Sequence, residues 1–210
     1  MNHLEYIELL KKKLYDNFMA STSREKALER YHHSLGVMNM AGQMAFMYHN
    51  DEEFIKKCEI AGILHDYAKF FKREDYEKLT KEYHVEFCFD KDYERVYHGY
   101  YGYLALIRDF DIHDEDILNA VKNHIMGRSN MTLIEKIIYV ADLIEEGRTE
   151  VEIPILKPLR DLVLKGKLDE GVAFEAKHVV SHLINKNIPI HPVSLETYNY
   201  YIKYLIKEGL

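Results

Sequence analysis

Apolar residues return at three- and four-residue spacing along almost the whole chain, and few residues could interrupt that rhythm. The first run, LEYIELLKKKLYDNFM, places Leu4, Ile7, Leu10, Leu14 and Phe18 on one face of an α-helix. Only four prolines and ten glycines are spread over 210 residues, too few for the many tight turns of an all-β chain. The same periodicity predicts a helix from Arg24 to His49 behind a Ser23 cap, and one capped by Asp51 running to about Tyr67. A short helix from Arg73 to Tyr83 and an irregular segment from His84 to Asp90 follow. Further helices fit Tyr93–Phe110, Glu115–His124, Leu133–Glu146, Ile155–Lys165, Asp169–Asn187 and Leu195–Glu208. Gly127, Gly147 and Gly166 fall where helix C-termini are expected. The fold class is therefore all-α, one domain over 1–210, with its distinctive residues in 24–150 and C-terminal helices in 151–210 packing on them.

A net charge of -7 with no basic block argues against a nucleic-acid partner or an anionic membrane surface. No run of about 18 apolar residues is present to cross a bilayer, and the N-terminus lacks a signal-peptide pattern. The expected location is the cytoplasm. Cys58 and Cys88 form no metal-binding doublet and no disulfide framework, and read as reduced packing residues.

A helix buries one stripe, so a charged group inside that stripe needs an explanation. CEIAGILHDYAKFF (Cys58 to Phe71) ends an apolar run in adjacent imidazole and carboxylate groups, His65 and Asp66. LIEKIIYVADLIEEGR (Leu133 to Arg148) sets Asp142 among Ile138, Tyr139, Ala141, Leu143 and Ile144. A lone carboxylate there would cost several kcal/mol unless paired or bound to a cation. Of twelve histidines, three more occupy comparable settings. His33 lies among small and apolar residues, His98 precedes Gly99 and Gly102, and His124 ends an apolar helix. Four imidazoles and two carboxylates on separate helices can converge inside a bundle to hold two metals. Mixed histidine and carboxylate donors suit iron, manganese or zinc better than calcium or magnesium. His178 and His182, at i,i+4, are a fainter metal pair, and the other histidines read as surface or packing groups. The cluster Tyr97, Tyr100, Tyr101 and Tyr103 fits either packing or a base-stacking platform.

The ordered set His33, His65-Asp66, His98, His124, Asp142 resembles the HD-domain metallophosphohydrolases, named for the adjacent His-Asp doublet. The segments RYHHSLGV, AGILHDYAK and NHIMGRSNMTLIEKIIYVADLIEEGR are similar to motifs of one bacterial subfamily. IHPVSLETYNYY near the C-terminus has its character too. That subfamily is the YqeK-type symmetrical bis(5′-nucleosyl)-tetraphosphatases, which cut diadenosine tetraphosphate into two ADP. The likeness spans roughly Arg24 to Tyr200. Two positions differ: His32 is an extra histidine beside His33, expected to face outward, and Ile125 replaces the usual small hydroxyl residue.

The resemblance implies an HD-type helical bundle with the metal site between helices. Its metal ligands would be His33, His65, Asp66, His98, His124 and Asp142, holding two divalent ions, iron foremost, with manganese or zinc as substitutes. A water activated between the ions would attack a phosphorus in line, with His65, Asp66, Lys69 and Arg128 as the catalytic group. Arg30, Lys69, Asn123, Arg128 and Arg148 are the expected substrate contacts, Lys69 and Arg128 foremost. Lys69 shares the face of His65 and Asp66 if their helix continues. Glu145 and Asn123 are expected to fix imidazole tautomers and an arginine. Two other classes of function fit the same residues. One is an HD phosphohydrolase acting on a nucleoside monophosphate or a cyclic nucleotide; the other is a nucleotide-binding regulatory module without catalysis. A homodimer is compatible with the sequence.

Overall fold

The computed structural model describes residues 2–208 apart from 89 and 152. Among them the chain forms α1 (His3–Ser21), α2 (Arg24–Tyr48), α3 (Glu52–Leu64), α4 (Arg73–Glu82), α5 (Tyr97–Tyr100) and α6 (Tyr103–Phe110). It continues through α7 (Glu115–Asn123), α8 (Leu133–Ile144), α9 (Leu156–Leu164), α10 (Leu168–Asn185) and α11 (Pro192–Glu208). A 3₁₀ segment, Lys91–Val96, leads into α5, and no strand occurs among the described residues.

Helix starts follow local chemistry. Asn2 and Glu5 form a capping box on α1, Asp51 accepts the Phe54 N–H on α3, and Thr132 with Glu135 boxes α8. Ser23 stands at the N-cap of α2 as expected, but its side chain makes no capping bond. Gly127 and Gly166 adopt positive φ beyond α7 and α9, the stop conformation expected of them; Gly147 does not.

Packing centres on α2, which lies against α1, α3 and α8, while α3 also meets α7 and α8. Leu10, Leu14, Phe18, Val37, Ala41, Ile63, Ile137 and Ile138 fill the space between them, and Tyr201 and Leu205 of α11 join the same core. α10 packs on α8 and α9 and pairs with α11. The α2–α3 crossing depends on Gly62. A Cβ there would fall 2.9 Å from the Met38 Cα, so only glycine lets the two backbones approach this closely. That approach carries the residues after Leu64 toward His33.

Two helices are shorter than the periodicity predicts. The helix expected over Tyr93–Phe110 is broken into the 3₁₀ segment, the single turn α5 and α6. At the break Gly102 packs so tightly on the carbonyl of His98 that any Cβ would collide with it. The α3 helix stops at Leu64 rather than continuing to Tyr67, and His65 to Phe70 run on as tight turns. Within these turns Tyr67 N–H donates to Leu64 O and Lys69 N–H to Asp66 O, at three-residue spacing. His84 to Asp90 carries no helix or strand in its described residues; residue 89 lies outside them. Cys58 is a buried core residue, but Cys88 is exposed and its N–H donates to the Tyr101 hydroxyl, so it is not the packing residue expected.

Candidate metal centre

Six polar side chains from five parts of the bundle meet at one place. His33 comes from α2, His65 and Asp66 from the turn after α3, His98 from α5, His124 from the position after α7, and Asp142 from the last turns of α8. All are buried except Asp142, which is half-buried. Three overlapping sets, His33/His65/Asp66, His65/His124/Asp142 and Asp66/His98/His124, each bring their donor atoms within 4.8 Å of one another. Asp66 lies at the middle. Its Oδ2 faces His65 Nε2 at 3.5 Å and His33 Nε2 at 4.0 Å, and its Oδ1 faces His98 Nε2 at 3.0 Å and His124 Nε2 at 3.7 Å. The carboxylate thus presents one oxygen to each of two histidine pairs. Asp142 Oδ1 stands 2.9 Å from His33 Nε2 and 3.6 Å from His65 Nε2.

Local structure aims the imidazoles. His65 and His124 each follow a helix end, where carbonyls lose their helical partners. His65 Nδ1 donates to Gly62 O and His124 Nδ1 to Val121 O, both at 2.7 Å. His33 Nδ1 donates to Glu145 Oε1 at 3.2 Å. Each bond puts the proton on Nδ1 and points the Nε2 lone pair inward. Arg160 anchors the helix that carries Asp142 and Glu145, because its guanidinium donates to Ile144 O at 2.9 Å and Glu145 O at 2.8 Å.

Electrostatics prepares the group for cations. Burial lowers the His98 imidazole to about 4 and also lowers the His65 imidazole, so both are neutral donors at neutral pH. Burial alone would raise the Asp66 and Asp142 carboxyls. Nearby His65 and Lys69 reverse this at Asp66, and His33 with His65 at Asp142, holding both below the ordinary carboxylate range. For His33, burial is outweighed by Asp142 and Glu145, which raise it. Three protein cations also reach in: Arg30 Nη1 donates to Asp66 Oδ2 at 2.8 Å, Lys69 Nζ lies 2.9 Å from His98 Nε2 and 3.6 Å from Asp66 Oδ1, and Arg148 Nη2 lies 3.9 Å from Asp142 Oδ1. His33 Nε2 and His65 Nε2 are buried with no hydrogen-bond partner. Buried unpartnered lone pairs are rare and costly. With two carboxylates opposite, they are what a divalent cation requires, so the residues present fit two such ions.

A cavity of 370 Å³ opens over this centre, lined by Arg30, Asp66, Lys69, His98, Asp142 and Arg148, with Tyr93, Arg95 and His191 at its wall. Arg30, Lys69 and Arg148 therefore stand where a ligand would lie. Asn123 and Arg128 do not. Arg128 forks onto Glu135 through Nε (2.7 Å) and Nη2 (2.6 Å), and Asn123 Nδ2 donates to the same carboxylate at 2.7 Å. Expected at the substrate and at the imidazoles, both are drawn away by a buried acid that needs them. The signal was in the chain: Thr132-Leu133-Ile134-Glu135 spells a capping box, which fixes Glu135 beside the stem of Arg128. Arg30, expected among the substrate contacts, lines the cavity and also touches Asp66 directly. Glu145 meets its expectation at His33, and His32 is exposed as expected. Tyr97 and Tyr101 are fully buried packing residues, while Tyr100 and Tyr103 are half-buried with the Lys122 ammonium over their rings. His178 and His182 have ring centres 6.3 Å apart and belong to none of the donor clusters among the described residues.

A bundle with this His-Asp centre defines a class of protein, and sequence comparison agrees. A family model for the HD domain matches residues 30–147. The symmetrical bis(5′-nucleosyl)-tetraphosphatase of Bacillus subtilis is 35% identical over 88% of this chain and 95% of its own length. The protein of the same description in Staphylococcus aureus is 34% identical over 85% of this chain and 90% of its own. A crystal structure from Clostridium acetobutylicum, described as a predicted HD superfamily hydrolase involved in NAD metabolism, superposes with a TM-score of 0.77 at 32% identity. That match covers 91% of this chain and 96% of the other. The chain belongs to the HD-domain family, in the branch that its symmetrical tetraphosphatase relatives form.

Proposed function

We propose that the protein is a metal-dependent hydrolase of dinucleoside polyphosphates that cuts diadenosine tetraphosphate into two ADP. The observation that carries this reading is Asp66 with one oxygen toward each of two histidine pairs, in a chain so similar to symmetrical tetraphosphatases. On this reading His33, His65, Asp66, His98, His124 and Asp142 hold two divalent cations, iron(II) foremost, with manganese or zinc as substitutes. Such cations supply Lewis acidity toward phosphoryl oxygens and acidify water for attack.

The chain's own groups do the rest. Glu145, Gly62 O and Val121 O keep the Nδ1 protons in place, so the imidazoles do not turn over. Lys69, Arg30 and Arg148 line the cavity and neutralise the polyphosphate as it enters. In the reaction an oxygen–phosphorus bond forms from water to one central phosphorus, and the bridging oxygen leaves with the other half as ADP. ADP is a good leaving group, so positioning and charge neutralisation suffice without a strong general acid. Residues 24–150 supply the centre, while Val179, Leu183, His191 and Ser194 from 151–210 form the outer wall. No described helix is long and apolar enough to cross a membrane.

The test is an anaerobic incubation of purified protein with iron(II) or manganese(II) and diadenosine tetraphosphate, with Asp66→Ala as control. ADP as the sole product, lost in the variant, is the expected result. AMP plus ATP would overturn symmetrical cleavage, and metal binding without turnover would move the assignment to another nucleotide or to a regulatory module.

A further inference from the structure

The cavity over the metal centre has a neighbour. A second cavity, of 570 Å³, opens beside α2, and Arg30 and Arg148 line both spaces. The two cavities therefore meet at that arginine pair. Each volume falls within the range of about 300–1,000 Å³ that accommodates one ligand of drug size. A dinucleoside tetraphosphate is two such ligands joined through their phosphates.

The lining of the second cavity suits the neutral end of a nucleotide. Glu29, His32, Leu35 and Asn39 come from successive turns of α2, and Glu146 from the segment after α8. Glu29 and Glu146 are exposed acids that repel phosphate and accept hydrogen bonds from ribose hydroxyls or an exocyclic amine. Leu35 and the His32 ring offer apolar and flat surface to a base, and the Asn39 amide offers one donor and one acceptor edge. Positive charge in this space comes from the arginines at the boundary with the metal centre. Charge thus changes sign along a path leading out from Asp66: cationic where phosphates would lie, acidic where a nucleoside would.

We infer that the second cavity is the site of the second nucleoside, with the tetraphosphate passing between Arg30 and Arg148 and over the metal centre. This rests on the hydrolase reading and extends it. Two nucleoside sites on either side of one centre bring the middle of the tetraphosphate nearest the reacting groups, which accounts for cleavage into equal halves. The same arrangement makes the second nucleoside a determinant of affinity rather than a passenger.

Asn39→Trp tests this, because position 39 is exposed, lines the second cavity and is not one of the six residues of the metal centre, so an indole there adds bulk to that cavity. The KM for diadenosine tetraphosphate should rise about tenfold, the loss of roughly 1.4 kcal/mol of binding. The kcat/KM for adenosine 5′-tetraphosphate, which carries a single nucleoside and can leave it in the other site, should fall less than that for diadenosine tetraphosphate. Both products sit in place just after cleavage, so equilibrium dialysis of the iron-loaded protein against ADP should show two ADP per chain in the wild type and one in Asn39→Trp. Asn39→Ala, which adds no bulk, should weaken the second ADP without removing it. One ADP per chain in the wild type, or an unchanged KM in Asn39→Trp, overturns the inference. Two ADP bound by a wild type that leaves diadenosine tetraphosphate intact would instead overturn the hydrolase reading and leave the two sites standing.

Discussion

Two buried polar clusters lie along α8, one around Glu135 in its first turn and one around Asp142 in its last, and they differ in whether their hydrogen bonds close. In the first, Glu135 is 1% exposed and receives four donors: the Arg128 fork, Asn123 Nδ2 and the Thr132 N–H. Four donors occupy the roughly four lone-pair directions of a carboxylate, so the network is complete within the chain. In the second, the imidazoles are aligned by their Nδ1 bonds while Nε2 of His33 and His65 have no partner. Both clusters cost desolvation. The closed one returns that cost as structure, and the open one is completed only by something from outside. A charged residue in an apolar stripe is thus ambiguous until its partners are known.

The largest effect should come from breaking the open cluster. His65→Ala removes a donor from two of the three overlapping sets. Because metal ions supply several kcal/mol of transition-state stabilisation, turnover should fall about 1,000-fold, with metal content by elemental analysis falling in parallel. Full metal content in the variant would remove His65 from the ligand set.

Breaking the closed cluster should instead show as stability. Arg128→Ala leaves Glu135 buried without its main counter-charge. A fully dry pair would lose about 3–5 kcal/mol, but Arg128 is 40% exposed and water can enter, so roughly 2 kcal/mol is expected in urea unfolding. Metal content should not change. Turnover lost at full metal content and full stability would mean that Arg128 swings to the phosphate during the reaction, as its place in the sequence suggested.

Acid separates the clusters more gently. In the metal-free protein His98 has its imidazole lowered by burial from 6.5 to about 4. A depressed folded-state value means that the unfolded chain takes up the proton first, so His98 adds stability above about pH 6.5 and loses it as pH falls toward about 4. His65 acts in the same direction. Metal-free protein should therefore melt several degrees lower at pH 4.5 than at pH 7, and His98→Asn should flatten that part of the profile. A metal-free Tm independent of pH over this window would refute the burial of neutral imidazoles. The smallest effect belongs to Asn123→Ala, which removes one charge-assisted bond to Glu135 at a cost of about 1.5 kcal/mol. Any loss of metal in that variant would restore Asn123 to the imidazoles.

Much of the fold was legible because periodicity is a local property. The buried faces of α1, α2, α8 and α10 follow from apolar spacing, and Asp51 caps its helix as its side chain predicts. The break within Tyr93–Phe110 was not legible. Its residues fit a helix, and only the approach of Gly102 to His98 O and the packing of α5 on α7 make a single turn the better solution. Lys69 illustrates the reverse. Its expected helix ends early, yet the tight turns after Leu64 still deliver its ammonium to Asp66 and His98.

Which groups could not be left alone in an apolar interior was readable along the chain. Desolvation cost attaches to residue type and setting, so His33, His65, Asp66, His98, His124 and Asp142 declared themselves before any fold was known. Partners were decided only in three dimensions. Asn123 and Arg128 neighbour His124 in the chain but serve Glu135 in space, whereas Arg30, 36 residues from Asp66, touches it directly. A hydrogen bond depends on distance and direction between atoms, and in a helical bundle those are set by how helices cross.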